Sequence, residues 1–322
     1  MSREPAPDAA AVSGPPPHVS ILVPALDEAP NMPDLFGEIG AMLSESGLDA
    51  EVVLVDDGSD DGTLEAARRA AREAGVERTR LLRHRRNRGK TDALLTGARA
   101  ARGEILVLFD ADLQHAPSEI PRFVRKVDDG WDMVVGRKVG RYEKRFVSGI
   151  YNWLARKIFR VPVHDLNAMK AFRRDVLDDL RLRSDWHRYL VVLAHARGYA
   201  VTEIEVDLHP RRHGISKYSG RSRIVVGVLD LVSVWFQLVF SRRPMLLFGV
   251  TGLFLVGAGT VVGLIALYLR FVLRAGYRPL LTLVLLLMVV GVLLFAIGFL
   301  AELIASLRGE VDDLRQRLED RP

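Results

Sequence analysis

The sequence predicts an α/β domain with a mostly parallel, helix-covered sheet, followed by a hairpin of two membrane-length helices. Three observations carry that prediction. Short apolar runs at His18–Pro24, Glu51–Val55 and Ile105–Phe109 have the length of strands, and their continuity suits burial on both faces. Segments of helical spacing separate them, as in successive βαβ units. The last third of the chain holds two long stretches without a charged residue.

Composition narrows the function classes. The 322 residues are enough for a large core and a second domain. With no cysteine there is no disulfide framework, thiolate metal site or cysteine nucleophile. A net charge of +5 suits anionic partners: nucleic acid, phosphorylated substrates or lipid headgroups.

Residues Met1–Pro17 are rich in Ala and Pro and lack the apolar centre of a signal peptide, so they read as a disordered tail. The first strand, His18–Pro24, breaks at Pro24 and delivers Asp27 and Glu28 ahead of a helix over Met32–Ser46. The second, Glu51–Val55, ends in Asp56-Asp57-Gly58-Ser59-Asp60-Asp61-Gly62-Thr63. Acids there can bind nucleoside hydroxyls or ring N–H groups, and they equally suit a capped Asp/Gly turn. A short strand at Arg80–Leu82 leads into the basic run His84–Lys90, from which Arg88 and Lys90 can meet a diphosphate. Interleaved aromatic platforms are missing from that run, so nucleic acid is not an expected partner. In the next helix Ala93, Gly97 and Ala101 share one face, which allows close packing on the sheet. The strand Ile105–Phe109 ends in Asp110 and Asp112, with Gln114 and His115 behind. Two carboxylates at a strand's carboxyl end can hold Mg²⁺ or Mn²⁺ together with phosphate oxygens; the competing reading is a helix cap near Pro117. A helix over Ser118–Asp129 and a strand at Met133–Val135 follow. Neither a Gly-x-Gly-x-x-Gly fingerprint nor a Walker lysine motif occurs, which removes the main support for a dinucleotide or P-loop site.

Pro24 with Asp27-Glu28, VDDGSDDGT at Val55–Thr63 and DADLQHAP at Asp110–Pro117 together resemble the family 2 glycosyltransferases. Within that family the resemblance is to the polyprenyl-phosphate branch, which includes dolichyl-phosphate mannose synthase and bactoprenyl-phosphate glucosyltransferase. It covers Ser20–Lys217 and implies a nucleotide-sugar-binding, glycosyltransferase A-type (Rossmann-like) domain. By resemblance, Pro24, Glu28, Asp57 and Asp110 hold the nucleotide, while Asp110, Asp112 and Gln114 surround the metal and the donor diphosphate. Arg137 receives the lipid phosphate, with Lys144, Arg145 and Ser148 close by; which of Lys144 and Arg145 is equivalent stays open. Asp112, Arg137, Arg211 and Lys217 form the implied catalytic set, and Arg211, Gly214, Ser216 and Lys217 fit a loop that closes over the donor. Two departures stand out. Asp27 occupies a position where the family usually has Asn, and the segment after Asp165 lacks the family's Gly, with Ala168, Met169 or Lys170 in its place.

The implied activity is that of a membrane-bound, metal-dependent, inverting enzyme moving one sugar from a UDP- or GDP-sugar to undecaprenyl or dolichyl phosphate. A lipid phosphate is already an anion, so the chemical task is to gather repelling anions rather than to remove a proton. Alternatives are a processive polysaccharide synthase, which needs more spans and a Gln-x-x-Arg-Trp-type segment not evident here, and an inactive membrane-anchored scaffold.

The expected organisation is a tail at 1–17, a catalytic domain at 18–220, a juxtamembrane amphipathic helix at 221–243, two transmembrane helices at 244–304 and a cytoplasmic tail at 305–322. Met245–Leu269 and Leu280–Ala301 each exceed the roughly 20 residues needed to span a bilayer. Ile224–Phe240, with Trp235, Phe236 and Asp230, suits an interfacial helix, with a third span as the alternative. Cytosolic nucleotide sugars would place the catalytic side at the cytoplasmic face of the inner (plasma) membrane. Leu307, Val311, Leu314 and Leu318 keep heptad-like spacing over too few repeats for a coiled coil, but permit subunit contact in a homo-oligomer.

Overall fold

The computed structural model describes residues 14–139, 159, 161–166, 168–180, 182, 186–213, 244–274, 276 and 278–319. The chain divides into two compact units, Met1–Arg223 and Ile224–Pro322.

The first unit is built on a seven-stranded sheet of β1 (Val19–Ala25), β2 (Ala50–Asp56), β3 (Thr79–Arg83), β4 (Ile105–Leu108), β5 (Met133–Val139), β6 (Lys170–Arg173) and β7 (Val201–Asp207), ordered β3-β2-β1-β4-β6-β5-β7. All neighbours run parallel except β6, which is antiparallel to both β4 and β5. The chain moves outward from β1 to β3 and then returns to lay β4 on the other side of β1. That reversal creates a crevice between the carboxyl ends of β1 and β4, the place where open α/β sheets bind ligands. Leu22 pairs with Leu108, so Pro24 and Asp110 each lie two residues further along, on opposite walls of the crevice.

Both faces of the sheet are covered. On one, Ile21, Val23, Val52, Leu54 and Val107 join Leu35, Phe36 and Ile39 of α1 (Met32–Ser46), the alanines of α2 (Thr63–Glu73) and Phe123 and Val127 of α4 (Ile120–Asp128) in one core. On the other, α3 (Lys90–Ala100) lies so close that a Cβ on Gly97 would sit 3.2 Å from the Val55 side chain. Ala93 and Ala101 are buried with it, as their spacing predicts. α1 stops at Gly47, whose φ of 63° and N–H bond to the Leu43 carbonyl make a left-handed cap.

Three departures from the expected boundaries bear on the site. β5 runs on to Val139, so Arg137 lies inside a strand rather than just after one. β6 and β7 complete the sheet beyond the expected strands, with α5 (Arg174–Asp179) and α6 (Leu190–Ala196) between them. Packing begins before residue 18: Pro17 is buried and the Gly14 carbonyl accepts a hydrogen bond from Arg102.

In the second unit α7 (Pro244–Phe271) and α8 (Arg278–Glu319) form an antiparallel hairpin. Glycines make the contact: a Cβ on Gly252 would lie 2.5 Å from the Gly291 carbonyl oxygen, and one on Gly298 would lie 2.8 Å from the Gly249 nitrogen. Pro244–Phe271 and Arg278–Leu307 are long and apolar enough to cross a membrane, and their outward faces carry exposed Phe254, Leu264 and Leu285. The expected interfacial helix at 221–243 lies outside the described residues.

Candidate active site

The crevice is lined by Pro24, Glu28, Asp57, Asp110, Asp112 and Arg211, together with Asn87, Gly89 and Lys90. Seven of the residues singled out from sequence, Lys90 among them, therefore share one site. Each is placed by a strand end or by a loop fixed to one.

On the β1 side, Asp27 adopts a φ of 46°, a left-handed conformation that Asn and Asp tolerate better than most residues. Its N–H donates to Ser59 Oγ at 2.8 Å, and its carboxylate accepts the Asp60 N–H at 3.2 Å. Asp in place of the family's Asn is thus a turn residue tying the β1 loop to the β2 loop. Glu28 follows: its N–H donates to Thr63 Oγ1 at 2.8 Å, and its carboxylate accepts from the buried Asn31 amide at 2.5 Å.

Asp57, beyond the end of β2, is a loop anchor. One carboxylate oxygen accepts His84 Nδ1–H at 2.6 Å and the Arg88 N–H at 2.9 Å, and the other accepts the Gly89 N–H at 2.7 Å. His84 Nε2 is 2.9 Å from Thr96 Oγ1, which locks the ring between loop and helix. The basic run is therefore divided: His84 is buried structure, and Lys90 is delivered to the crevice.

The β4 end carries the charge. Lys90 Nζ donates to Asp110 Oδ1, and Arg211 Nη2 lies 3.0 Å from Asp112 Oδ2. Burial pushes the Asp110 carboxyl up, but the charge and hydrogen bond of Lys90 outweigh it and hold the group at about 2. Asp112 is pushed up by burial and then by the charge of Asp110, against the pull of Arg211. Between Asp112 and Gln114 the chain turns through Leu113 at a φ of 53°, a costly conformation for a buried leucine. The turn lets the Gln114 N–H donate to Asp112 Oδ1 at 3.2 Å while the Gln114 carbonyl accepts from His209 N–H at 2.9 Å. Gln114 thus orients Asp112 and ties the Arg211 segment to the loop through its backbone.

Behind Asp110 lies a group of residues that periodicity did not single out for a role. Lys170 opens β6 opposite Leu108 and Val135, is 3% exposed, and donates to the Ala168 carbonyl at 2.8 Å. Burial lowers its ammonium to about 7. Lys138 Nζ is 3.5 Å from the Asp165 carboxylate, and buried His115 has a ring Nδ1 with no hydrogen-bond partner among the described residues. Burial, then the charge of Lys138, holds that imidazole down at about 4.

Arg137 stands apart from the crevice wall, 3.7 Å from Glu203 and 3.6 Å from Glu205 on β7. Lys144, Arg145, Ser148 and Lys217 lie outside the described residues.

Asp110 and Asp112 fit a hard divalent cation. They offer carboxylate oxygens one residue apart on an open crevice, each already matched by a positive side chain. Among the described residues no group of three or more His, Cys, Asp or Glu forms a complete cage. Two carboxylates plus substrate phosphates is the usual arrangement for Mg²⁺.

Comparison with known proteins agrees with this architecture. The dodecaprenyl-phosphate galacturonate synthase of Rhizobium johnstonii is 34% identical over 300 residues, covering 89% of this chain and 87% of that protein. The undecaprenyl-phosphate 4-deoxy-4-formamido-L-arabinose transferase of Aeromonas hydrophila is 30% identical over 302 residues, covering 91% and 90%. Glucosyl-3-phosphoglycerate synthase from Mycobacterium tuberculosis, solved with Mg²⁺ and uridine diphosphate, shares the fold with a TM-score of 0.54 at 20% identity. That match covers 67% of this chain and 80% of that one. The family model for glycosyl transferase family 2 matches residues 20–181, which take in β1 through α5 and the whole Asp110–Asp112 loop, and the chain belongs to that family.

Proposed function

We propose that this glycosyltransferase moves a single sugar from a UDP- or GDP-sugar to a polyprenyl phosphate, with inversion at the anomeric carbon. The observation that carries the reading is the 34% identity to a dodecaprenyl-phosphate galacturonate synthase across 89% of the chain, together with two helices long enough to cross a membrane. A long-chain lipid acceptor gives those helices a purpose.

In this reading Pro24, Glu28 and Asp57 receive the nucleoside, Asp57 chiefly by fixing the loop that carries Gly89 and Lys90. Asp110 and Asp112 would hold Mg²⁺ or Mn²⁺, which supplies positive charge to the leaving diphosphate. Arg211 and Lys217 close over the donor and stabilise the departing charge. Arg137, with Lys144, Arg145 and Ser148, receives the acceptor phosphate, for which Arg137 exchanges its pairing with Glu203 and Glu205. The phosphate oxygen attacks in line from the face opposite the leaving group. No side chain need remove a proton, because the nucleophile is ionised near neutral pH. The helices would anchor the protein in the inner membrane, with the catalytic unit on the cytoplasmic side where nucleotide sugars are found.

The test is transfer of radiolabelled sugar from a panel of UDP- and GDP-sugars into organic-extractable lipid by full-length protein with undecaprenyl phosphate. Labelling from one donor that requires Mg²⁺ or Mn²⁺ and disappears in Asp112→Asn is the expected result. Failure of every donor to label lipid, with nucleotide still bound, would refute the lipid acceptor.

A further inference from the structure

The floor of the crevice holds four charges in two pairs, Lys90 on Asp110 and Arg211 on Asp112. Glu28 and Asp57 line the same crevice, so its carboxylates outnumber its cationic side chains. A divalent ion that binds Asp110 takes that carboxylate from Lys90 and leaves the ammonium without its counter-charge; a donor diphosphate arriving with the ion supplies one, so the pairing favours joint binding.

Lys90 is the member of the quartet best placed to enforce this. Its backbone cannot drift: Gly89, immediately before it, is held by Asp57, and Gly89 itself takes a φ of 93° to start α3. Only the side chain can swing. The Lys90 and Asp110 side chains are 26% and 38% exposed, so their pair can open without a large desolvation cost. Lys90 also stands at the first turn of α3, where free N–H groups favour an anion, so a diphosphate in the crevice has a second reason to draw the ammonium toward it.

We infer that Lys90 couples the divalent ion to the donor: it pairs with Asp110 before either binds, yields that carboxylate to the ion, and moves to the diphosphate. This rests on the donor reading above. The consequence is positive cooperativity between metal and nucleotide, with weak binding of either alone.

The experiment is Mn²⁺ binding to full-length protein in detergent, read from the electron paramagnetic resonance signal of free Mn²⁺, with and without UDP. In the unaltered protein UDP should tighten Mn²⁺ by about 10-fold or more, within the usual range of coupling between sites. Lys90→Met and Lys90→Gln should bind Mn²⁺ alone several-fold more tightly, since one competing charge is gone, yet bind UDP less well in its presence. The coupling should shrink to about 3-fold, and Lys90→Arg should restore it. A merely structural role for Lys90 would weaken both ligands. Weaker Mn²⁺ binding in Lys90→Met and Lys90→Gln, or coupling unchanged in them, would overturn the inference and leave the donor reading intact. So would unaltered protein that binds Mn²⁺ and UDP independently. Unaltered protein that binds neither would overturn the donor reading and this inference together.

Discussion

Single residues in this protein owe their roles to partners that residue type alone does not reveal. Asp57 looks like a ligand for a nucleoside, and its carboxylate accepts three hydrogen bonds from His84, Arg88 and Gly89. Asp57→Ala should lower stability by roughly 3 kcal/mol, at about 1 kcal/mol for each lost bond, and should weaken UDP because Lys90 loses its support. Urea unfolding and UDP titration of the same preparation check both halves; a stable variant that merely binds UDP poorly would make Asp57 a ligand instead. Lys170 gives a pH signature. Burial holds its folded-state value near 7 against the ordinary 10.5, so between those values the unfolded chain keeps a proton that the folded chain has released. Stability therefore rises with pH across that window, and the cost of charging Lys170 is felt below it. Lys170→Met should be the more stable protein at pH 7 and should show a flatter rise toward pH 10. Denaturant midpoints measured from pH 6.5 to 9.5 decide the matter, and parallel slopes in the two proteins would count against it.

At the scale of elements, the loops between strands and helices set the site, and their glycines show where there is no room to spare. Gly58 has a φ of 81°, and a Cβ there would meet the Arg86 carbonyl carbon at 2.6 Å and the Asn87 nitrogen at 2.8 Å. Gly47 has a similar φ of 63° but open space around it. Both Gly→Ala variants should lose about 1 kcal/mol or more from left-handed strain. Only Gly58→Ala should also lose UDP affinity, since it pushes the 84–90 loop off Asp57; equal UDP binding by the two variants would show that this loop is not part of the nucleotide site. The same contrast explains what was legible in the sequence. β1, β2 and β4 are apolar runs buried on both faces, and their carboxyl ends carry Pro24, Asp57 and Asp110 as motif and spacing require. β7 reads Val-Thr-Glu-Ile-Glu-Val-Asp, and its glutamates face Arg137 and His164 across the sheet edge, so its polar content hid it. β6 is four residues long and begins with a buried lysine, which no periodicity announces. Lys90 and His84 lay in one basic run, where spacing alone does not separate a ligand-facing ammonium from a buried imidazole.

For the whole molecule, the division into two units puts the crevice in one and the membrane-length helices in the other. Every crevice residue named above belongs to the first unit, and the hairpin is held by its own contacts. In the hairpin the Met245 N–H, one of the donors at the start of α7 without an intrahelical partner, is capped by Glu302 of α8 at 3.1 Å, which accounts for a carboxylate within the apolar Arg278–Leu307 stretch. Gly252 fits against the Gly291 carbonyl with no space for a side chain. Small residues that let backbones touch are a main source of helix association in lipid, where burial itself offers little. Gly252→Leu should therefore force the two helices apart while leaving the sheet and its crevice unaltered. The expected outcome is unchanged UDP binding in the presence of Mn²⁺, continued extraction with membranes, and a marked loss of transfer to undecaprenyl phosphate. Transfer to a short-chain, water-soluble polyprenyl phosphate should survive, because that acceptor reaches the enzyme from solution. Equal loss with both acceptors, accompanied by loss of UDP binding, would show that the hairpin and the catalytic unit fold as one cooperative body, and the separation of roles would fail.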